Sequence, residues 1–195
     1  MNVETISRKN RERKYKLFLK EINPSEKDKI LDVGFADREY SEVDNFLEKH
    51  YPLQSNITAL GVFETAEVFR ERYPEVSVVL YDGKIFPFAN KSFDIGWSNA
   101  VIEHVGGRER QLLFVKELCR VCKKVYFTTP NRYFPFEVHT RYPLIHWLPK
   151  KIFDKILSMT SSKWVTGDYM NLLSRKSLEN ILHKAEVESY HNFQK

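Results

Sequence analysis

Cysteine is nearly absent from this chain. Cys119 and Cys122 are the two it holds, which excludes a disulfide-stapled scaffold and points to a reducing compartment. No stretch approaches the roughly 20 consecutive apolar residues that span a bilayer. The first thirty residues are charged and lack the apolar core of a signal peptide. Internal repeats and low-complexity tracts are also missing. What is there excludes disorder, since hydrophobic residues make up 42% and aromatics 14%. At 195 residues the chain suits a single domain over 1–195 that buries a core without staples. The expectation is a soluble, cytoplasmic protein with no membrane span.

The net charge of +5 is local rather than general. Residues 8–20 carry seven Lys or Arg against one Glu, or +6, so the remainder sums to −1. Tyr15, Phe18, Leu19 and Ile22 recur at helical spacing, which predicts a basic amphipathic helix over about 8–22 lying on the body. Such a helix is either a solvated face or an arm that attracts phosphates, and the second reading admits nucleic acid as a partner.

Short β-branched or aromatic runs stand at 29–34, 57–62, 76–81, 93–98 and 124–129. Charged segments with helical spacing lie between them, at about 38–49, 64–72 and 108–121. Strands alternating with helices imply crossover units, hence an α/β, doubly wound, mostly parallel sheet. Residues 130–150 hold four of the eight prolines among many aromatics and read as a long ordered loop of the kind that binds substrate. Helices resume at about 150–158 and 174–184, the latter capped by Ser174, and 187–193 reads as a sixth strand.

In such sheets ligands lie beyond the carboxyl ends of the strands. Asp32-Val33-Gly34 ends the first run, and a glycine there lets a cofactor approach the backbone. Ala36 replaces a second glycine, while Asp37 and Glu39 flank the turn. That disfavours a pyrophosphate and suits a cationic group. Glu64 follows the second run and offers two acceptor oxygens to a ribose, or caps the next helix. Asp82-Gly83 ends the third run, where Asp82 accepts from an adenine amino group or merely shapes a turn.

The order LDVG, GVFE, YDG, PFANKSFDIGWSNAVIEHV and TPNRYFPFEVHT resembles the class I S-adenosylmethionine-dependent methyltransferases, in particular the broad type 11 group, over about residues 29–150. The resemblance implies a Rossmann-like methyltransferase fold and S-adenosylmethionine as cofactor. It places Asp32 and Gly34 at the methionine part, Glu64 at the ribose, Asp82 with Gly83 at the adenine, and Asn99 with Ala100 along the pocket. Three features depart from the family. Ala36 stands where it has glycine, Phe63 where it often has Asp, and the family's seventh, antiparallel strand is not found.

His104 after the fourth run and His139 in the proline-rich loop are the candidate catalytic bases, for a proton leaving the acceptor as the methyl arrives. Glu103 or His104 could equally tie the loop to a neighbouring backbone. Cys119 and Cys122 form a lone CxxC at a helix carboxyl end with no further ligands nearby, so no metal is expected and both read as core. The sequence thus describes a methyltransferase whose acceptor is unidentified, a small molecule or glycan being favoured. The alternative is a non-catalytic, methyltransferase-like binding or regulatory module.

Overall fold

The computed structural model describes residues 3–134, 144–148, 150–160 and 166–191. Its strands are β1 (Ile30–Val33), β2 (Ile57–Gly61), β3 (Ser77–Leu80), β4 (Phe93–Asn99) and β5 (Cys122–Thr128). They form one all-parallel sheet in the order β3-β2-β1-β4-β5. Ile30 stands level with Ile57 on one side and Ile95 on the other, and Asp32 with Ala59 and Trp97. All four β1 residues are buried, as a central strand covered on both faces requires. The doubly wound α/β expectation therefore holds. Residues 187–191, expected as a sixth strand, are irregular, and 192–195 lie outside the described residues.

The helices are α1 (Val3–Ile22), α2 (Phe46–His50), α3 (Glu67–Arg72), α4 (Arg108–Val121), α5 (Lys150–Leu157) and α6 (Arg175–Lys184). α1 is longer than the basic segment suggested and is no detached arm. Phe18 is fully buried, edge-on to Trp97 of β4 at 4.8 Å and to Tyr126 of β5 at 5.6 Å. Tyr126 Oη donates to the Lys14 carbonyl at 3.0 Å, and Tyr15 packs edge-on against Phe46 of α2.

The helix expected at 38–49 is mostly turn, and only its last residues are helical. Asp44 Oδ2 accepts from the amides of Tyr40 and Ser41, and Asn45 sits in the left-handed region with its side chain bound to Ala36. Such local side-chain bonds offer the backbone an alternative to helix. Glu39 anchors this segment through Lys49 at 2.9 Å, Arg72 at 3.1 Å and the Tyr73 hydroxyl at 2.5 Å.

The chain forms two compact units, 1–99 with 118–127, and 100–117 with 128–195. The sheet and α1 to α3 belong to the first. In the second, Phe153, Leu157 and Met170 form a small core, Asn131 bridges Leu173, and Ser174 caps α6 by accepting from the Ser177 amide at 3.2 Å. Of the 130–150 loop, residues 130–134 and 144–148 are described, and Trp147 Nε1 donates to the Phe134 carbonyl at 3.3 Å.

Cys122 is buried where α4 meets β5, as core packing required. Its sulfur lies 2.8 Å from where a Cβ on Gly96 would stand. Burial pushes the Cys122 thiol up to about 12 and raises that of Cys119. Gly96→Ala is therefore expected to destabilise the protein by about 1–3 kcal/mol in urea unfolding. Removing the sulfur with Cys122→Ala in the same chain should recover part of that loss. A neutral Gly96→Ala would contradict this packing.

Candidate active site at the carboxyl edge of the sheet

The strand order reverses between β1 and β4, and the loops that leave the carboxyl ends of the strands diverge there. At the end of β1, Gly34 has φ 99°, a conformation that strains any residue with a Cβ, and its amide donates to the Leu60 carbonyl at 3.0 Å. Asn45 then clamps the turn. Its Oδ1 accepts from the Ala36 amide and its Nδ2 donates to the Ala36 carbonyl, both at 2.8 Å. Phe35 turns inward and packs against Phe63 and Phe69, with centroids 5.2 and 4.3 Å away.

Two loops lie together beyond β2 and β3. A Cβ on Gly83 would sit 3.4 Å from Cγ1 of Val62. Val62, Phe63 and Ile85 are 61, 39 and 56% exposed there, an apolar surface beside charged neighbours. Glu64 is exposed and makes no hydrogen bond or ion pair among the described residues. Asp82 uses Oδ1 to accept from the Lys84 amide at 3.0 Å, so the turn role is real, while Oδ2 lies 3.6 Å from Lys84 Nζ. An adenine laid on the apolar surface, with a ribose at Glu64, fits this donor and acceptor set.

Lys14 of α1 reaches the end of β4, where Nζ donates to Asn99 Oδ1 at 3.2 Å. Ser98 Oγ donates to the Val33 carbonyl at 3.0 Å and fixes β4 to the end of β1. Asp32 is directed inward, against Glu48 of α2. Burial raises the carboxyl of Asp32 well above the usual range and raises that of Glu48, while Arg11 of α1 opposes the shift at Asp32. Glu48 is fully buried, and neither of its carboxylate oxygens has a hydrogen-bond partner among the described residues. Burial thus disfavours the charged form of both carboxyls, and at Asp32 the facing Glu48 adds to the shift.

In the second unit, Ala100 has φ 59° and its amide donates to the Thr128 carbonyl at 2.8 Å. Glu103 is buried and accepts from the Thr129 hydroxyl at 3.0 Å. His104 Nδ1 stands 2.9 Å from the Tyr169 carbonyl, which can only accept. That fixes the proton on Nδ1 and puts the lone pair of the neutral ring on Nε2. His139 lies outside the described residues. Arg11, Lys14, Asn45 and Glu48 carried no sequence signal as site residues, because their roles arise from packing between distant segments.

The family profile described as a methyltransferase domain matches residues 31–125, just under half of the chain. Over that stretch, which runs from β1 into β5, the chain is similar to the methyltransferase domain. Its fold is shared with a SAM-dependent methyltransferase from Aquifex aeolicus, at 18% identity, covering 89% of this chain and 78% of that one with a TM-score of 0.55. A SAM-dependent methyltransferase from Thermotoga maritima is similar at 19% identity, 93% and 72% coverage and a TM-score of 0.55. The cyclase SpnF shares the fold too, at 17% identity, 89% and 56% coverage and a TM-score of 0.54. No curated protein matches the sequence. Two of these structural neighbours are described as SAM-dependent.

These raised carboxyls give the fold a pH dependence. In the unfolded chain both carboxyls titrate near pH 4. The folded pair stays protonated to higher pH, so above about pH 4 the folded state binds more protons and stability falls as pH rises. Glu48→Gln removes that titration and supplies Asp32 with an amide donor. Its melting temperature at pH 8 should exceed the parent's by a few degrees, at about 2–4 °C per kcal/mol, and the gain should shrink toward pH 5. An equal loss at both pH values would contradict the raised carboxyls.

Proposed function

We propose that the protein is an active S-adenosylmethionine-dependent methyltransferase working on a small-molecule acceptor. The observation that carries this is Glu64, an acid left unpaired beside the exposed Val62, Phe63 and Ile85 at the carboxyl edge. S-adenosylmethionine supplies an electrophilic methyl on a sulfonium. In our reading Glu64 accepts from the ribose hydroxyls, Asp82 accepts from the adenine amino group with Gly83 beneath it, and Val62 and Phe63 cover the ring. Gly34 lets the methionine part approach the backbone, Asn99 and Ala100 line its path, and Lys14 brings a positive charge to Asn99. We assign Asp32 a positioning role, through Glu48 and Arg11, because its carboxyl is buried among them.

Such a site works by holding groups in line and excluding water, which contributes much of the barrier reduction in group transfer. His104 and His139 are the bases we propose for a proton leaving the acceptor. The comparisons give no support for a glycan or a nucleic acid as acceptor. Part of the charge on α1 is engaged within the protein, at Asn99 and beside Asp32. Among the described residues no helix is long and apolar enough to cross a membrane, and the free thiols support a cytoplasmic location. A second reading, a non-catalytic module, is favoured by Ala36 and Phe63 standing where the family has glycine and aspartate.

Calorimetry with S-adenosylhomocysteine tests the reading. A hydrogen bond from a neutral amino group to a carboxylate contributes about 1.5–3 kcal/mol. Asp82→Ala and Glu64→Ala should therefore each weaken S-adenosylhomocysteine and S-adenosylmethionine alike by roughly ten- to a hundredfold, since 1.4 kcal/mol is tenfold. Folded variants that bind both ligands as the parent does would move the nucleoside elsewhere. Binding without any methyl consumption across a broad acceptor panel would favour the non-catalytic module.

A further inference from the structure

The second unit contains a cavity of about 160 Å³ with an unusual wall. Two guanidinium groups, from Arg108 and Arg132, line it together with Leu148, Phe153, Met170 and Leu172. Phe153 and Met170 are buried and form an apolar floor. Each arginine is held through neutral groups. Arg108 Nη1 donates to Gln111 Oε1 at 2.9 Å, and Arg132 Nη2 donates to the Leu148 carbonyl at 3.1 Å. Among the described residues neither guanidinium has a carboxylate partner. Partial burial of Arg108, and then the charge of Arg132, lower the proton affinity of Arg108, so the two cations are close enough to repel.

Like charges gathered at an apolar cavity without a counter-ion are unfavourable in the empty protein. An anion offsets them, and the guanidinium fork matches a carboxylate or a phosphate in two bonds at once. We propose that this cavity binds a small amphiphile, a carboxylate or phosphate head between Arg108 and Arg132 carried on an apolar body against Phe153 and Met170, and that this is the methyl acceptor. The acceptor role rests on the methyltransferase reading, whereas the anion pocket does not.

The surrounding bonds connect the pocket to the segment that follows β4. Asn171, which also lines the cavity, donates its amide to the Glu103 carbonyl at 2.7 Å. Gln111 Nε2 donates both to the Ile102 carbonyl at 3.1 Å and to the Asn171 carbonyl at 2.8 Å. The same Gln111 accepts from Arg108, so one side chain joins the anion site to residues 102 and 103. Those residues lie directly after Asn99 and Ala100, the positions assigned to the cofactor. A second cavity, of about 290 Å³, also has Arg108 in its wall, with Leu112 and Ile181 as apolar surface.

Octanoate, octyl phosphate and octanol, titrated calorimetrically into the full chain, provide the test. The two anions should bind at least about tenfold more tightly than octanol, and the better of the two names the head group. Arg132→Ala should weaken the preferred anion by about ten- to a hundredfold. Arg132→Lys should fall between, since an ammonium keeps the charge and loses the fork. Lys176→Ala, on the exposed side of α6, should change nothing. Melting temperatures establish that each variant is folded, and S-adenosylhomocysteine affinity should stay within about twofold in all of them. The proposal fails if octanol binds as well as the anions. It fails equally if neither anion binds at about 10 mM, or if a folded Arg132→Ala binds them as the parent does. If the anions bind as described and S-adenosylhomocysteine does not bind at all, the pocket stands and the methyltransferase reading falls.

Discussion

The site depends on one topological constraint, the return of the chain across β1. β2 and β3 are laid down on one side of that strand, and β4 pairs on the other. In open sheets of this kind ligands bind beyond the carboxyl ends of the strands, near such a reversal. Everything assigned to the cofactor is arranged around that reversal. Gly34 makes the turn, Ser98 bonds the end of β4 to Val33, and Asn45 holds Ala36 on both its polar groups.

The reversal also explains the depth at which α1 is built in. The face of the sheet that carries Ile30 and Asp32 needs a cover, and α1 supplies Phe18 against Trp97 and Tyr126. Once packed there, the same helix carries Arg11 toward Asp32 and Lys14 to Asn99. Covering the core and bringing positive charge to the site are thus two consequences of one packing event. The buried pair of Asp32 and Glu48 is its least comfortable part, because burial disfavours the charged form of both carboxyls and Arg11 only partly opposes this at Asp32.

Much of this was legible in the sequence, and the exceptions are instructive. β1 and α4 could be read from local patterns, a short, mostly apolar run ending in glycine and an apolar stripe from Leu112 to Cys122, because their burial is decided within each segment. The turn before α2 could not, since Asp44 and Asn45 redirect the backbone through bonds that helical spacing does not register. Glu64, Asp82 and Gly83 could be located by their position just after strands. Glu48, Arg11 and Lys14 could not, because a glutamate on a short helix and two lysine or arginine residues in a basic run look like solvated groups until tertiary packing buries or aims them. The twin arginines of the second unit are 24 positions apart in the sequence and meet only through folding. Sharing this fold with a cyclase as well as with methyltransferases shows why the chemistry must be argued from such groups and not from the sheet.

The central claim is that the carboxyl edge around the β1–β4 reversal holds the cofactor. Amide hydrogen exchange of the unaltered protein with and without saturating S-adenosylhomocysteine tests it most directly. The account predicts slowed exchange in the turn at residues 34–37, in the loops at 62–64 and 81–84, and at 99–101, with α6 and the cavity of Arg108 and Arg132 unchanged. Protection confined to α6 or to that cavity, or none at saturation, would contradict it.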